Sequence, residues 1–164
     1  MNSSKCPVPK EQHPTNEFLE LSNSRIFSWP KSHKNYSLVL ISTWLATFLL
    51  FLFISSGSVH FEKNLSRYFF LSLFTSISLP LLLTIKLFLG WNHIFKRLTA
   101  EKVEYEESGW YDGQTWVKPL ALREKENLIA SIEVKPILKN LKQILSIIIA
   151  FILFGILLFQ YINI

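Results

Sequence analysis

Three long apolar runs limit what this chain can fold into more than any other feature of its sequence. Residues 38–58, LVLISTWLATFLLFLFISSGS, carry no charge, and residues 65–90 and 144–164 are comparably long and apolar. A bilayer's hydrocarbon core is crossed by about 20 apolar residues in a helix. Inside lipid an open segment must satisfy its own backbone, and a helix does so. The fold class read from this pattern is an all-α membrane protein with about three transmembrane helices and a polar loop carrying a short β-hairpin and amphipathic helices. Composition agrees, since 49% of the 164 residues are hydrophobic, with 14 Phe against only 5 Gly. The apolar residues come in blocks, unlike the scattered pattern of a soluble domain.

Four segments follow. Residues 1–36 form a polar, proline-punctuated lead, 37–90 a two-helix transmembrane hairpin, 91–143 a polar loop with a hairpin at 103–118, and 144–164 the third span. Lysine and arginine set the orientation. The lead holds five (Lys5, Lys10, Arg25, Lys31, Lys34) and the long loop nine, whereas the short link holds Lys63 with Arg67 just beyond, and the C-terminal end none. The positive-inside rule then puts lead and loop on one cytoplasm-like face. The net charge of +5 reads as membrane flanking, without the interleaved aromatic and basic residues of a nucleic-acid module. Cys6 is the single cysteine, so there is no intrachain disulfide. The first residues, MNSSKCPVPKEQHPTNEF, have no apolar core and carry Glu11 and Glu17. They match neither a secretory signal nor a transit peptide, so if the protein belongs to an organelle, synthesis inside that organelle is expected.

Local signals sharpen these segments. Pro7, Pro9, Pro14 and Pro30 exclude a long helix in the lead, leaving a short one over 16–24 with Asn16 as N-cap and Phe18 and Leu21 inward. Trp29-Pro30 and Tyr36 look like an interfacial anchor. In the first span Thr43 and Thr47 share a face able to meet a neighbouring helix. In the second, Ser72, Thr75, Ser76 and Leu79 align, Pro80 bends the helix, and Lys86 snorkels. Ile94, Phe95 and Leu98 are expected to face lipid or protein, with Lys96 and Arg97 in water. Pro119 suits a helix N1 position, LALREKENLIASI sets Leu122, Ile129 and Ile132 on one side, and Pro136 restarts a helix that enters the third span.

The central stretch EKVEYEESGWYDGQTWVK carries the clearest turn signal, Asp112-Gly113. A two-residue turn there pairs Tyr111 with Gln114, Trp110 with Thr115, Gly109 with Trp116 and Glu107 with Lys118. Tyr105, Tyr111 and Trp116 then share a face. The functional reading is an aromatic-acidic docking surface of Glu104, Tyr105, Glu107, Trp110, Tyr111, Asp112 and Trp116. The plain alternative rests those aromatics at the headgroups, stapling the loop to its own protein. Glu101, Glu104, Glu106 and Glu107 are a candidate metal cluster, yet no HxxxH or ExxH spacing supports one. Cys6-Pro7 matches a dipeptide used for labile haem ligation. No phosphate loop, nucleophile elbow or Ser/His/Asp order is present, so catalysis has no support in the sequence.

Two blocks resemble a known family. Cys6-Pro7-Val8-Pro9, Glu11-Gln12, Pro14, Asn16-Glu17 and Ser28-Trp29-Pro30 form the first, and Val103-Glu104-Tyr105-Glu106-Glu107-Ser108-Gly109-Trp110-Tyr111-Asp112-Gly113 the second. Together with Lys118-Pro119, Arg123 and Lys135-Pro136 they resemble the hypothetical chloroplast reading frame thirty-six family, also described as conserved in the green lineage and diatoms. The resemblance covers nearly the whole chain and implies a plastid or cyanobacterial membrane location, with no catalytic residues to carry over. It marks Cys6, Pro7, Pro9, Glu11, Gln12, Asn16, Glu17 and Trp29 as an N-terminal motif. The cofactor is unknown from sequence. Two functions compete: a non-catalytic thylakoid protein docking a partner of the photosynthetic membrane, and a membrane protein handling haem, pigment or metal through Cys6 and the acidic cluster.

Overall fold

The computed structural model describes residues 6–31, 33–56, 65–106 and 113–162. It is helical apart from one two-stranded sheet. The elements are α1 (Pro14–Asn23), α2 (His33–Ser56), α3 (Leu65–Thr75), α4 (Ser78–Thr99), β1 (Lys102–Tyr105), β2 (Gln114–Val117), α5 (Leu120–Ile129) and α6 (Lys135–Ile162). Among the described residues, three helical stretches are long and apolar enough to cross a membrane: Tyr36–Ile54, Phe69–Thr99 and Leu120–Gln160. The chain divides into two compact units. A head comprises Met1–Ser28 with Leu89–Leu138, and a membrane unit comprises Trp29–Phe88 with Lys139–Ile164.

In the membrane unit, large apolar side chains such as Ile41, Leu45, Phe53, Ile147 and Leu157 point outward, as lipid-facing residues do. Contact between its helices relies on interlocking rings and small residues. Phe70 of α3 stacks on Phe159 of α6, with centroids 5.6 Å apart, and Phe74 stacks on Phe151 at the same distance. Between the two α6 phenylalanines lies Gly155, where a Cβ would collide with the Phe74 ring.

The second span is two helices, α3 and α4, broken at Ser76 and Ile77. The break lies before Pro80, the residue expected to bend it. Proline has no N–H, so the carbonyl four residues earlier loses its helical partner. That carbonyl belongs to Ser76, and the Thr47 hydroxyl of α2 lies within donating distance of it at 2.9 Å, as it does of the Thr43 and Trp44 carbonyls in its own helix. Thr43, expected to share this role, donates instead to Leu40 in its own helix. Of the aligned residues, Ser72 and Ser76 are buried while Leu79 is exposed. Tyr36 is no surface anchor either: it is buried, and its hydroxyl donates to Thr84 Oγ1 at 3.0 Å.

In the head, Pro14 takes the first helical position of α1 and makes His13 the N-cap, displacing Asn16 from that role. Proline's fixed φ suits that first position, and it drives the preceding residue extended; His13 has ψ 126°. Asn16 donates its side-chain amide to the Lys10 carbonyl at 2.7 Å. α5 starts at Leu120 with Pro119 as N-cap, one residue later than expected. Pro136 starts no new helix. A π-helical turn over Ala130–Val134 carries α5 into α6, widening the turn that a proline ring would otherwise strike.

The hairpin has a different register from the one Asp112-Gly113 predicts. β1 and β2 pair antiparallel as Lys102 with Val117, Val103 with Trp116, Glu104 with Thr115 and Tyr105 with Gln114. Trp116 thus meets Val103, six residues before Gly109. An even slip keeps each side chain on its face, so Tyr105 and Trp116 still share one. Burial accounts for the choice: Val103 and Tyr105 lie buried with Val8, and Trp116 packs against them. Glu107, Trp110, Tyr111 and Asp112 lie outside the described residues.

Candidate functional site

The head is assembled where the lead meets the hairpin and the end of α4. Val8 fills the apolar pocket of Val103, Tyr105 and Trp116. Four residues on, the Gln12 amide brackets the Glu106 backbone: its Nε2 donates to the Glu106 carbonyl at 3.0 Å and its Oε1 accepts the Glu106 N–H at 2.8 Å. A side-chain amide here imitates one rung of a strand ladder at the point where β1 ends.

Arg97 ties the same parts from α4. Its Nη2 donates to the Gln12 carbonyl at 2.9 Å, and its Nη1 lies 2.8 Å from Glu17 Oε1. The expectation that Arg97 simply faces water therefore fails, although Lys96 is exposed. Burial raises the carboxyl of Glu17 above its ordinary value, while Arg97, His93 and His13 pull it back down only in part. The remaining oxygen, Oε2, is buried without a hydrogen bond. Beside this junction a groove of about 610 Å³ is lined by Gln12, His93, Lys96, Arg97, Lys102 and Glu106, among others.

The innermost charges are Lys118 and Glu126. Lys118 follows β2, and Nζ donates to the carbonyls of Arg97 at 2.8 Å and Leu98 at 3.2 Å, in the last turn of α4. An ammonium there satisfies orphan carbonyls and complements the negative end of the helix dipole. Its third direction faces Glu126 Oε2, 2.5 Å away, with both side chains fully buried. That contact is an ion pair whose alignment falls short of a hydrogen bond. Across the hairpin its backbone N–H donates to the Glu101 carbonyl at 3.0 Å, so in this register Lys118 lies opposite Glu101 instead of the expected Glu107. Further out, Arg123 pairs with Glu101.

Sequence reasoning missed Glu126. The pattern set Leu122, Ile129 and Ile132 on one side of the helix, whereas Glu126, Ala130 and Val134 are buried and Leu128 and Ile132 exposed. The signal was the run Glu126, Ala130, Val134, Leu138 at four-residue spacing, continuing inward despite its charged first member. Tyr105, expected on the docking surface, belongs to the head's own core, whereas Glu104 is exposed and Trp116 half-buried. Cys6 is a free, exposed thiol. Among the described residues no three His, Cys, Asp or Glu side chains gather as a metal site.

The family described as CGLD27-like, conserved in the green lineage and diatoms 27, matches residues 6–147. The chain belongs to this family. A relative in Pyropia yezoensis, named uncharacterized protein ycf36, is 39% identical over 160 residues, covering 97% of each chain. Another of that name in Cyanophora paradoxa is 38% identical over 88% of this chain and 91% of its own. The Arabidopsis thaliana protein named conserved in the green lineage and diatoms 27, chloroplastic, is 34% identical over 87% of this chain and 44% of its own. No solved structure matches the chain. This protein is thus a member of a chloroplast protein family, with three helices suited to crossing a membrane. The two sequence blocks that carried the resemblance meet in the head, at Val8 against Tyr105 and at Gln12 against Glu106.

Proposed function

We propose that this protein is a multi-pass thylakoid membrane protein that presents its head to the stroma, docks a partner there, and serves the assembly or maintenance of a photosynthetic complex without catalysing a reaction. The observation that carries this reading is the outer surface of the head. Val117 on β2 and Leu120, Leu128 and Ile132 on the helix after it are large apolar side chains left exposed, Leu120 by 75%. Exposed apolar groups on an otherwise charged surface mark interaction sites. Glu104, on the outward face of β1, supplies the acidic component. The loop sequence also holds Glu107, Trp110, Tyr111 and Asp112, outside the described residues, and Trp and Tyr are of the types that dominate binding energy.

The test is purification in mild detergent from the native membrane, comparing wild type with a Val117→Asp/Leu120→Asp variant. Co-purifying proteins, the absorption spectrum and metal content are measured on the same samples. Stoichiometric photosynthetic subunits that are lost in the variant support docking. An equimolar chromophore or metal without protein partners sinks docking and supports cofactor handling.

A further inference from the structure

We infer that the head contains a proton-sensitive latch, in which a charged His13 closes on the buried carboxylate of Glu126 and ties the lead to α5. The geometry begins with Glu126. Its side chain is fully buried, and Lys118 occupies only one of its oxygens. The other, Oε1, has no hydrogen-bond partner, and His13 Nδ1 stands 3.8 Å from it. A buried carboxylate oxygen without a partner is costly, and adding a donor or a positive charge beside it relieves that cost.

His13 is placed to supply either. Its Nδ1 is 2.7 Å from Thr15 Oγ1. An imidazole with Nδ1 bare accepts the threonine hydroxyl there, and it brings no charge to Glu126. Once both nitrogens carry protons, Nδ1–H becomes a donor and the ring a cation. The charged surroundings are Glu126 from α5 and Glu17 one turn along α1, with Lys118 behind the first and Arg97 and His93 of α4 beside the second. Lys118 balances Glu126 and Arg97 balances Glu17, with Glu20 of α1 adding a further negative charge, yet Glu17 keeps one buried oxygen and Glu126 both without a hydrogen bond. A proton on His13 therefore enters a setting of paired charges with buried carboxylate oxygens short of a donor.

The lead is otherwise held by Val8, the Gln12 bracket and the Arg97–Glu17 pair. Adding the latch tightens the lead as the pH falls, and removing it loosens the cover over Val103, Tyr105 and Trp116. Access to that hairpin face becomes pH-dependent through a residue of the lead.

Hydrogen exchange of residues 8–23 in the full-length protein in detergent tests this, with intrinsic exchange corrected at each pH. Protection of the wild-type lead should be about three- to tenfold higher near pH 5.5 than near pH 8. His13→Asn preserves a good N-cap and should show a flat profile, whereas Glu17→Gln should keep most of the rise. A flat wild-type profile overturns the proposal. So does a rise that survives in His13→Asn, or one that vanishes in Glu17→Gln, because the α1 carboxylate would then be the sensor.

Discussion

The head and the membrane unit bury polar groups with different chemistry. In the head the deepest polar contact is ionic, Lys118 against Glu126, with the half-buried pair of Arg97 and Glu17 beside it. In the membrane unit they are neutral hydroxyls, Thr47 donating to the Ser76 carbonyl and Tyr36 to Thr84. Water surrounds the unfolded form of the head, so its charges must recover hydration through close pairing, and a lone ion left behind is heavily penalised. The spans have lipid as their alternative environment, where a charge is expensive in either state and a hydroxyl is the cheaper way to join two helices. Breaking one contact should therefore cost much more in the head than between spans.

The largest effect should come from Glu126→Ala. It strands the Lys118 ammonium inside the head and should cost about 3–5 kcal/mol, with loss of protection over β1, β2 and α5 in hydrogen exchange. Replacing both partners by Lys118→Met and Glu126→Leu should recover most of that loss. If the double variant were as unstable as the single, unpaired charge would not be the cause. Within the membrane unit, Gly155→Leu must push the Phe74 ring away from its stack on Phe151. The expected cost is about 1–3 kcal/mol in detergent thermal unfolding, partly reversed by Phe74→Ala.

Thr47→Val should cost about 0.6–1.7 kcal/mol, because only the hydroxyl serving the Ser76 carbonyl is lost. The sharper measurement is its coupling to Pro80→Ala. Alanine restores an N–H four residues after Ser76, so Thr47→Val should cost less in that background. Equal costs in both backgrounds would show that the hydroxyl does not compensate for the proline.

The smallest effect concerns pH at Glu17. Because burial raises its carboxyl, the folded head binds more protons than the unfolded chain between the ordinary and the raised value. Glu17's contribution to stability is therefore fully present below the ordinary carboxylate range and is lost as the pH rises through the raised one. Glu17→Gln should flatten that arm of a stability-versus-pH curve by a few tenths of a kcal/mol. A steeper arm in the variant would mean that Arg97 outweighs burial.

Legibility differed sharply between residue types. The spans could be read from one apolar run each, since hydrophobic length suffices to specify a crossing helix. The break at Ser76 was half legible: Pro80 announced it, but its position depended on which carbonyl a hydroxyl from α2 could reach. Asp112-Gly113 offered a local turn, and the long-range burial of Val103 and Tyr105 under Val8 selected another register. Glu126 was illegible by hydropathy, because a charged residue at an inward position looks like an outward one until its partner is known.

By itself the sequence determined the fold class, the three spans, the grouping of positive charge in lead and loop, and the family. These are properties of local composition and spacing, and they persist whatever the neighbours do. Tertiary structure alone decided that the lead closes over the hairpin, that Arg97 reaches Gln12 and Glu17, and that Lys118 caps α4 while pairing with Glu126. Those choices join residues far apart in the chain, Gln12 and Glu106 being 94 positions from each other. A pairing over that distance depends on which burial the whole chain can complete, and no window of sequence contains that information.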